Sequence, residues 1–501
     1  MKNQYLKIAY GVTLCSCLAI QPAHTQKKGE WNQPFIKAKK DAPNILWICT
    51  DQQRWNTIHA LGNIFVKTPN IDRLINNGVS FDYAFCQSPV STPSRASFLT
   101  GMYPSSIQIT KTGIEKWPES VPLITKMLKD VGYECGLAGK FHLSSAMAHR
   151  PEKRPEDDGY QIFHYSHSPY QGGSANDYIT YYKTKGIDIL ELKNKLGYVP
   201  AEYHQTTWCT DMAINFIEEK REWPWMFSLN VYDPHSPFDP PAEYVERYDV
   251  DQLPLPLFIE SDLQEKGVFN DVAFQSVPQK IEDNSLRKML ARYWAQIDLI
   301  DENIGRVLKA LEETGQLDNT LIIFSSDHGD MLGDHGLTAK GCRFYEGLVR
   351  VPLIFYYPQA LKEGLKSEAL VELVDIVPTI LEITGLLVPE YLDGKSLYPI
   401  LTGQKDCSHH KDFVRCEHYD SESISGRKLA YGTMYRTKEY KLINYHGHED
   451  GELFDLKKDP EEFYNQWNNE DYAQIRFSLM KESFSTTART IDRTIKKIAR
   501  Y

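Results

Sequence analysis

Three short, almost wholly apolar runs constrain the fold of this chain most: Asn44-Ile45-Leu46-Trp47-Ile48-Cys49-Thr50, Trp225-Met226-Phe227-Ser228-Leu229-Asn230-Val231 and Thr320-Leu321-Ile322-Ile323-Phe324-Ser325. Such a run leaves no face for solvent, so it reads as a strand buried on both sides. Stretches with helical patterning alternate with them: Ile71 to Asn77, Val121 to Val131, Thr207 to Glu219, and a long one near Ser285 to Thr314. That alternation predicts an α/β fold with an open, mostly parallel sheet covered by helices on both faces. Each run is followed at once by polar residues able to do chemistry: Asp51-Gln52, Asp233-Pro234-His235 and Asp327-His328. Sites in open α/β sheets gather outside the carboxyl ends of the strands. Three distant segments therefore point to one edge.

The large domain is expected over residues 41–385. A Pro/Gly-marked link after Asp375 to Leu381 and Gly385 leads to a smaller α+β subdomain over 390–501. There, Lys428 to Tyr435, Tyr440 to Tyr445 and Leu453 to Leu456 suggest an antiparallel sheet closed by a last helix. Two segments read as long insertions near the site edge: Glu152 to Gln205, rich in Tyr, His and Gly, and the Pro-rich stretch near Asp239 to Val277. Residues 1–25 read as an export signal, with Lys2 and Lys7 ahead of an apolar run from about Ile8 to Ile20. Leu14-Cys15-Ser16-Cys17 leaves open a lipoprotein box with Cys17 acylated; simple cleavage is preferred because Leu18-Ala19-Ile20 stays apolar. The expected location is periplasmic, with lipid-anchored or secreted forms as alternatives. Of nine cysteines, Cys15 and Cys17 lie in this leader. The scattered remainder implies no disulfide framework, though Cys407 and Cys416 are candidates to pair and Cys49 and Cys135 to be buried thiols. A net charge of −11 excludes a global basic footprint for nucleic acid.

Ser91-Thr92-Pro93-Ser94-Arg95-Ala96-Ser97-Phe98-Leu99-Thr100-Gly101 reads as the start of a helix, with Thr92 as N-cap and Pro93 at the first helical position. Ser91 then lies where free N–H groups and the positive dipole end stabilise an oxyanion. Arg95, one turn on, would aim at the same spot.

Ser-x-Pro-Ser-Arg, then two unspecified residues, two apolar ones and Thr-Gly, resembles the signature of the type I sulfatases, in the alkaline phosphatase superfamily. The resemblance covers roughly Pro43 to Gly385 in spaced motifs, with a weaker echo at Leu453 to Asn465. It implies the alkaline-phosphatase-like fold and makes Ser91 the precursor of formylglycine (3-oxoalanine). A hydrated aldehyde has two geminal hydroxyls: one attacks sulfur and expels the alcohol, and the other loses its proton so that the carbonyl re-forms and sulfate leaves. Serine in place of cysteine resembles the substrates of the anaerobic radical maturase, which implies a bacterial host able to live without oxygen.

Carried over residue by residue, the resemblance makes Asp51, Gln52, Ser91, Asp327 and His328 the ligands of one Ca2+. Gln52 and His328 depart from the usual aspartate and asparagine there, and calcium does not favour a ring nitrogen. Gly139-Lys140-Phe141-His142-Leu143 resembles the family's Gly-Lys-Trp-His-Leu. Lys140 and His142 alternate, so on an extended segment both would face the site. The resemblance gives Lys140 and Lys340 to the sulfate, His142 to proton removal on release, and His235 or Lys340 to the departing alkoxide. Glu346, Arg350 and Val351-Pro352-Leu353 match family positions read as structural.

The expected function is hydrolysis of sulfate esters of carbohydrates, such as glycosaminoglycan or mucin-type glycan fragments. A phosphonate monoester or phosphodiester hydrolase of the same superfamily is the alternative enzyme, and an inactive exported glycan-binding protein the non-enzymatic one. Sugar, linkage and oligomeric state are not legible.

Overall fold

A computed structural model describes residues 37–490 apart from 119–120, 147–151, 172, 270–271, 273–275, 420–427 and 429. The export signal with its lipid-box alternative lies outside the described residues. Among those residues, no helix is long and apolar enough to cross a membrane.

The large sheet contains β1 (Asn44–Thr50), β2 (Val79–Phe85), β3 (Glu134–Gly139), β4 (Ile162–Tyr165), β5 (Trp225–Asn230), β6 (Thr320–Ser326), β7 (Arg350–Val351), β8 (Leu353–Tyr356) and β9 (Leu365–Glu372). Their spatial order is β4-β3-β5-β1-β6-β8-β2-β7, with β9 also paired to β2. The five strands from β4 to β6 are mutually parallel. β8 runs against both β6 and β2, which returns β2 to the direction of β6. With β9, which pairs parallel to β2, all seven parallel-running strands end at one edge, as the three apolar runs predict.

β1 shows why. Ile45, Trp47 and Cys49 enter one apolar cluster and Leu46 and Ile48 the other, so alternate side chains feed opposite layers. On the first side Trp47 meets Phe98 of the helix Ser91–Thr100 at 5.2 Å between ring centroids. On the second, Ile300, Ile304, Val307 and Leu311 form a helical stripe along Asp283–Glu313. Each fully buried side chain of this kind contributes about 1.5–3 kcal/mol.

A second sheet is an antiparallel meander of β10 (Val414–Tyr419), β11 (Tyr431–Arg436), β12 (Tyr440–Tyr445) and β13 (Gly451–Asp455), followed by the helix Ala473–Arg489. The run expected from Lys428 becomes a strand only at Tyr431; Lys428 makes an isolated bridge to Val272. Val414, Cys416, Met434, Ile443 and Phe454 join the same apolar cluster as Trp47. Buried Lys441 locks the join, reaching Glu462 at 2.6 Å and Glu346 at 2.8 Å. Arg350 lies 3.7 Å from the Glu346 carboxylate, so both residues serve the structural role expected of them.

Cys49 and Cys135 are buried thiols, as expected. Cys407 and Cys416 do not pair: Cys416 points into the core beside Cys86, while Cys407 is half-buried elsewhere.

Candidate active site

The site starts from strand ends. β1 delivers Asp51 and Gln52, β3 Lys140, β5 His235 and β6 Asp327 with His328. Gly139 closes β3 at φ +106°, and any Cβ there would run into the Asn230 carbonyl of β5. Only glycine lets the chain leave the strand this close to its neighbour. Gln52 turns at φ +70°, unusual for a side chain of this kind.

The helix carrying Ser91 starts two residues earlier than expected. Val90, extended at φ −139°, is the N-cap, and Ser91 is already helical. Ser94 N–H donates to the Val90 carbonyl, and the Thr92 hydroxyl has no hydrogen-bond partner, so Thr92 is not the cap. The consequence favours the site: Ser91 sits in the first turn, where the free N–H groups are.

Ser91 is 1% exposed. Its Oγ lies 3.0 Å from His328 Nε2 and accepts from Lys340 Nζ at 3.3 Å. Lys340 also lies 3.4 Å from His235 Nε2 and from His328 Nε2, so one ammonium joins three predicted residues. Both histidines have Nδ1 on a backbone carbonyl, Ser236 for His235 and Gly329 for His328. With those Nδ1–H groups donating, each Nε2 is left as the acceptor facing the cleft. Burial, with Lys340 next, pulls His235 down to about 3, and burial pulls His328 down to about 4; both are neutral at neutral pH.

Arg95 does not aim at Ser91. Its Nε donates to Asp327 Oδ2 at 2.9 Å and its Nη1 to the Lys140 carbonyl at 3.1 Å. Lys140 donates to Asp51 Oδ2. Burial raises the Asp51 carboxyl, but Lys140, with His235, Arg95 and Lys340, outweighs it and holds Asp51 well below the usual range. Burial and the Asp51 charge push Asp327 up, and His328, Arg95 and Lys140 more than offset them. Two carboxylates thus stay ionised in a dry site.

Three buried polar atoms on this floor have no hydrogen-bond partner: Asp51 Oδ1, Gln52 Oε1 and Arg95 Nη2. Such atoms cost about 1–3 kcal/mol each unless something satisfies them. Asp51, Asp327 and His328 can bring one ligand atom each within 4.8 Å of one another. Gln52 Nε2 is held by Asp330, which leaves Gln52 Oε1 unpaired beside Asp51 in the chain. Two carboxylates and a ring nitrogen around one point fit a divalent cation, and the two unpaired oxygens favour a hard one. Arg95 Nη2, a donor, fits an anion's oxygen.

Lys140 and His142 are not on an extended segment. The strand stops at Gly139, and His142 turns at φ +57°, which sets its ring edge-on to His167 at 4.4 Å between centroids. No hydrogen bond joins His142 to Ser91 among the described residues. Asp233 faces away, taking Thr206 Oγ1 at 2.6 Å and Gln296 Nε2 at 2.9 Å.

Glu152 is a site residue that motif reading misses. Its buried carboxylate accepts N–H groups from His142 at 2.7 Å and Ser144 at 2.9 Å, and from Leu143 between them. Burial raises it to about 7 despite these three donors. Glu152 pins the turn that follows Lys140. Glu152→Gln, which replaces one acceptor oxygen by a donor, should leave N–H groups unpaired. The expected result is a kcat lower by about 10- to 100-fold, as for a misplaced catalytic group. Steady-state kinetics alongside a urea melt checks it; an unchanged kcat would show that the turn needs no such pin.

A family model described as Sulfatase matches residues 43–386, spanning every residue of the cluster. The chain belongs to the sulfatase family. It is a sulfuric ester hydrolase, and its architecture is alkaline-phosphatase-like. A second model, N-sulphoglucosamine sulphohydrolase C-terminal, matches residues 333–489 of this sulfatase. An arylsulfatase of Clostridium perfringens is 31% identical over 476 residues, covering 88% of this chain and 94% of its own. The N-acetylglucosamine-6-O-sulfatase of Bacteroides thetaiotaomicron is 27% identical over 507 residues, covering 89% and 86%. Among solved structures, a phosphonate monoester hydrolase from Silicibacter pomeroyi superposes with a TM-score of 0.78 at 24% identity, over 91% of this chain and 98% of its own. That likeness is one of fold.

Proposed function

We propose that this sulfatase is an exported, periplasmic enzyme that hydrolyses sulfate esters of carbohydrates, glycosaminoglycan or mucin-type fragments, through formylglycine made from Ser91 by an anaerobic radical maturase. The observation that carries it is the setting of Ser91. Its hydroxyl is in the first turn of a buried helix, with Lys340 at 3.3 Å and His328 at 3.0 Å. The sulfated-sugar specificity of the Bacteroides relative supports the carbohydrate part.

Formylglycine as its hydrate would supply a nucleophilic hydroxyl and a second hydroxyl through which sulfate is released. Asp51, Gln52, Asp327 and the oxygen on residue 91 would hold calcium, with the His328 ring beside them; the ion would polarise the sulfate and the attacking oxygen. Arg95, Lys140 and Lys340 oppose the sulfate charge in a site shielded from water, where such interactions weigh most. His235, neutral with Nε2 facing Lys340 Nζ at 3.4 Å, shares the proton that the departing alkoxide needs.

Mass spectrometry of the Ser91 peptide, with protein expressed in an anaerobic host, tests this reading. The expected mass is two hydrogens below that of serine. Unmodified serine would favour an inactive glycan-binding protein. The shared fold with a phosphonate monoester hydrolase sustains one other enzymatic reading. Aryl sulfate should be cleaved faster than aryl phosphonate; the reverse order would select that reading.

A further inference from the structure

The residues already assigned leave one polar group at the mouth of the cleft without a task. Ser91, Asp51, Asp327 and His328 form a floor that is 1% exposed or less. His235, Lys340 and His167 are half-buried, and His167 is close enough to Lys140, Asp51 and His235 to feel their charges. His167 comes two residues after the end of β4, the outermost of the parallel strands, and so lies at the same carboxyl edge. Its backbone is fixed on both sides. Ser166 N–H donates to the Gly139 carbonyl at 3.0 Å, and Asn176 Nδ2 donates to the Ser168 carbonyl at 2.8 Å. Its side chain is fixed by nothing polar: the ring lies edge-on to His142, and His167 Nδ1 is buried with no hydrogen-bond partner. Burial, then the nearby Lys140 ammonium, keeps this imidazole well below its usual pKa, hence neutral.

A neutral imidazole offers one donor and one acceptor. It is poorly matched to a sulfate oxyanion, which the three cations answer. It is well matched to a hydroxyl, which also both donates and accepts. The backbone is rigid and the ring, although its Nδ1 is buried, is half-exposed as a whole, the arrangement expected of a recognition group. We propose that His167 is a specificity-determining residue that hydrogen-bonds a sugar hydroxyl next to the sulfated position. This inference rests on the carbohydrate sulfatase reading above. It also gives the Tyr/His/Gly-rich insertion a defined role, with its first part steering substrate choice through one side chain.

The test compares His167→Ala and His167→Asn with wild type on two kinds of substrate. One is the best of a panel of monosulfated N-acetylglucosamine, N-acetylgalactosamine and galactose; the other is 4-nitrophenyl sulfate, which has no vicinal hydroxyl. His167→Ala should lower kcat/KM on the sugar sulfate by about 10- to 100-fold, mainly through KM, as expected for a lost polar contact to substrate. On 4-nitrophenyl sulfate it should stay within about threefold, which also reports an intact fold. His167→Asn, which keeps a donor and an acceptor on the same backbone, should recover part of the loss on the sugar. Equal losses on both substrates would overturn the proposal and make His167 a support for His142. An unaffected sugar reaction would overturn it as well. Wild-type activity on 4-nitrophenyl sulfate but on no sugar would instead sink the carbohydrate reading, and the proposal with it.

Discussion

Ser91→Ala should lower kcat by roughly 10⁵-fold, about 7 kcal/mol of transition-state stabilisation, while the protein stays folded. The asymmetry follows from what the side chain touches. The Ser91 hydroxyl contacts His328 Nε2 and Lys340 Nζ, and alanine is the best helix former for a first-turn position. Losing those two contacts should cost only about 1 kcal/mol of stability. Arg95 makes an instructive contrast. It is 1% exposed and donates to Asp327, so Arg95→Ala would leave a buried carboxylate unpaired at a cost of about 3–5 kcal/mol. Activity lost in that variant would not separate chemistry from folding. Thermal melts and kcat measured together on Ser91→Ala make the separation. Turnover near that of wild type would mean another group attacks sulfur.

The parts of this molecule that the chain announces are those with one physical cause. β1 is legible to the residue because seven consecutive buried positions admit no other pattern. β6 extends one residue beyond its run, to Ser326, and β5 stops one short, at Asn230. β3 is silent in the sequence: Glu-Cys-Gly-Leu-Ala-Gly has two glycines, and Gly136 is there because its Cβ would strike Phe227. The helix starts two residues before the place that Thr92-Pro93 suggests, because Val90 supplies the extended backbone that a cap requires. Of the site, the residues on strand ends were readable from position and motif. Glu152 and His167 were not, because each acts through contacts made across the fold: Glu152 with a turn eight to ten residues earlier, His167 with a ring 25 residues away. A Tyr/His/Gly-rich composition flagged their segment without choosing among its side chains.

Removing divalent metal should lower kcat/KM by about 10³-fold, since a cation acting on the reacting oxygens is worth several kcal/mol. It should also lower the melting temperature, because a ligand bound only by the folded state stabilises it by RT ln(1 + [L]/Kd). The physical reason is local. Asp51 and Asp327 are both ionised and buried, and Asp51 Oδ1 and Gln52 Oε1 have no hydrogen-bond partner. Lys140 now holds Asp51 Oδ2, and with a cation bound there its ammonium would be free to meet the sulfate. Binding of metal and of substrate should therefore be coupled: KM should rise on chelation, not kcat alone fall. Adding calcium should restore both rate and melting temperature. Magnesium should restore less, since it demands near-ideal octahedral geometry and gives up its waters reluctantly. The choice of ion also tests His328. Its Nδ1 is committed to the Gly329 carbonyl, so Nε2 is either a ligand or the partner of residue 91, from which it lies 3.0 Å. Zinc restoring activity better than calcium would make that nitrogen a ligand and overturn the assignment of calcium. Activity indifferent to chelation would overturn the metal site at Asp51 and Asp327 altogether.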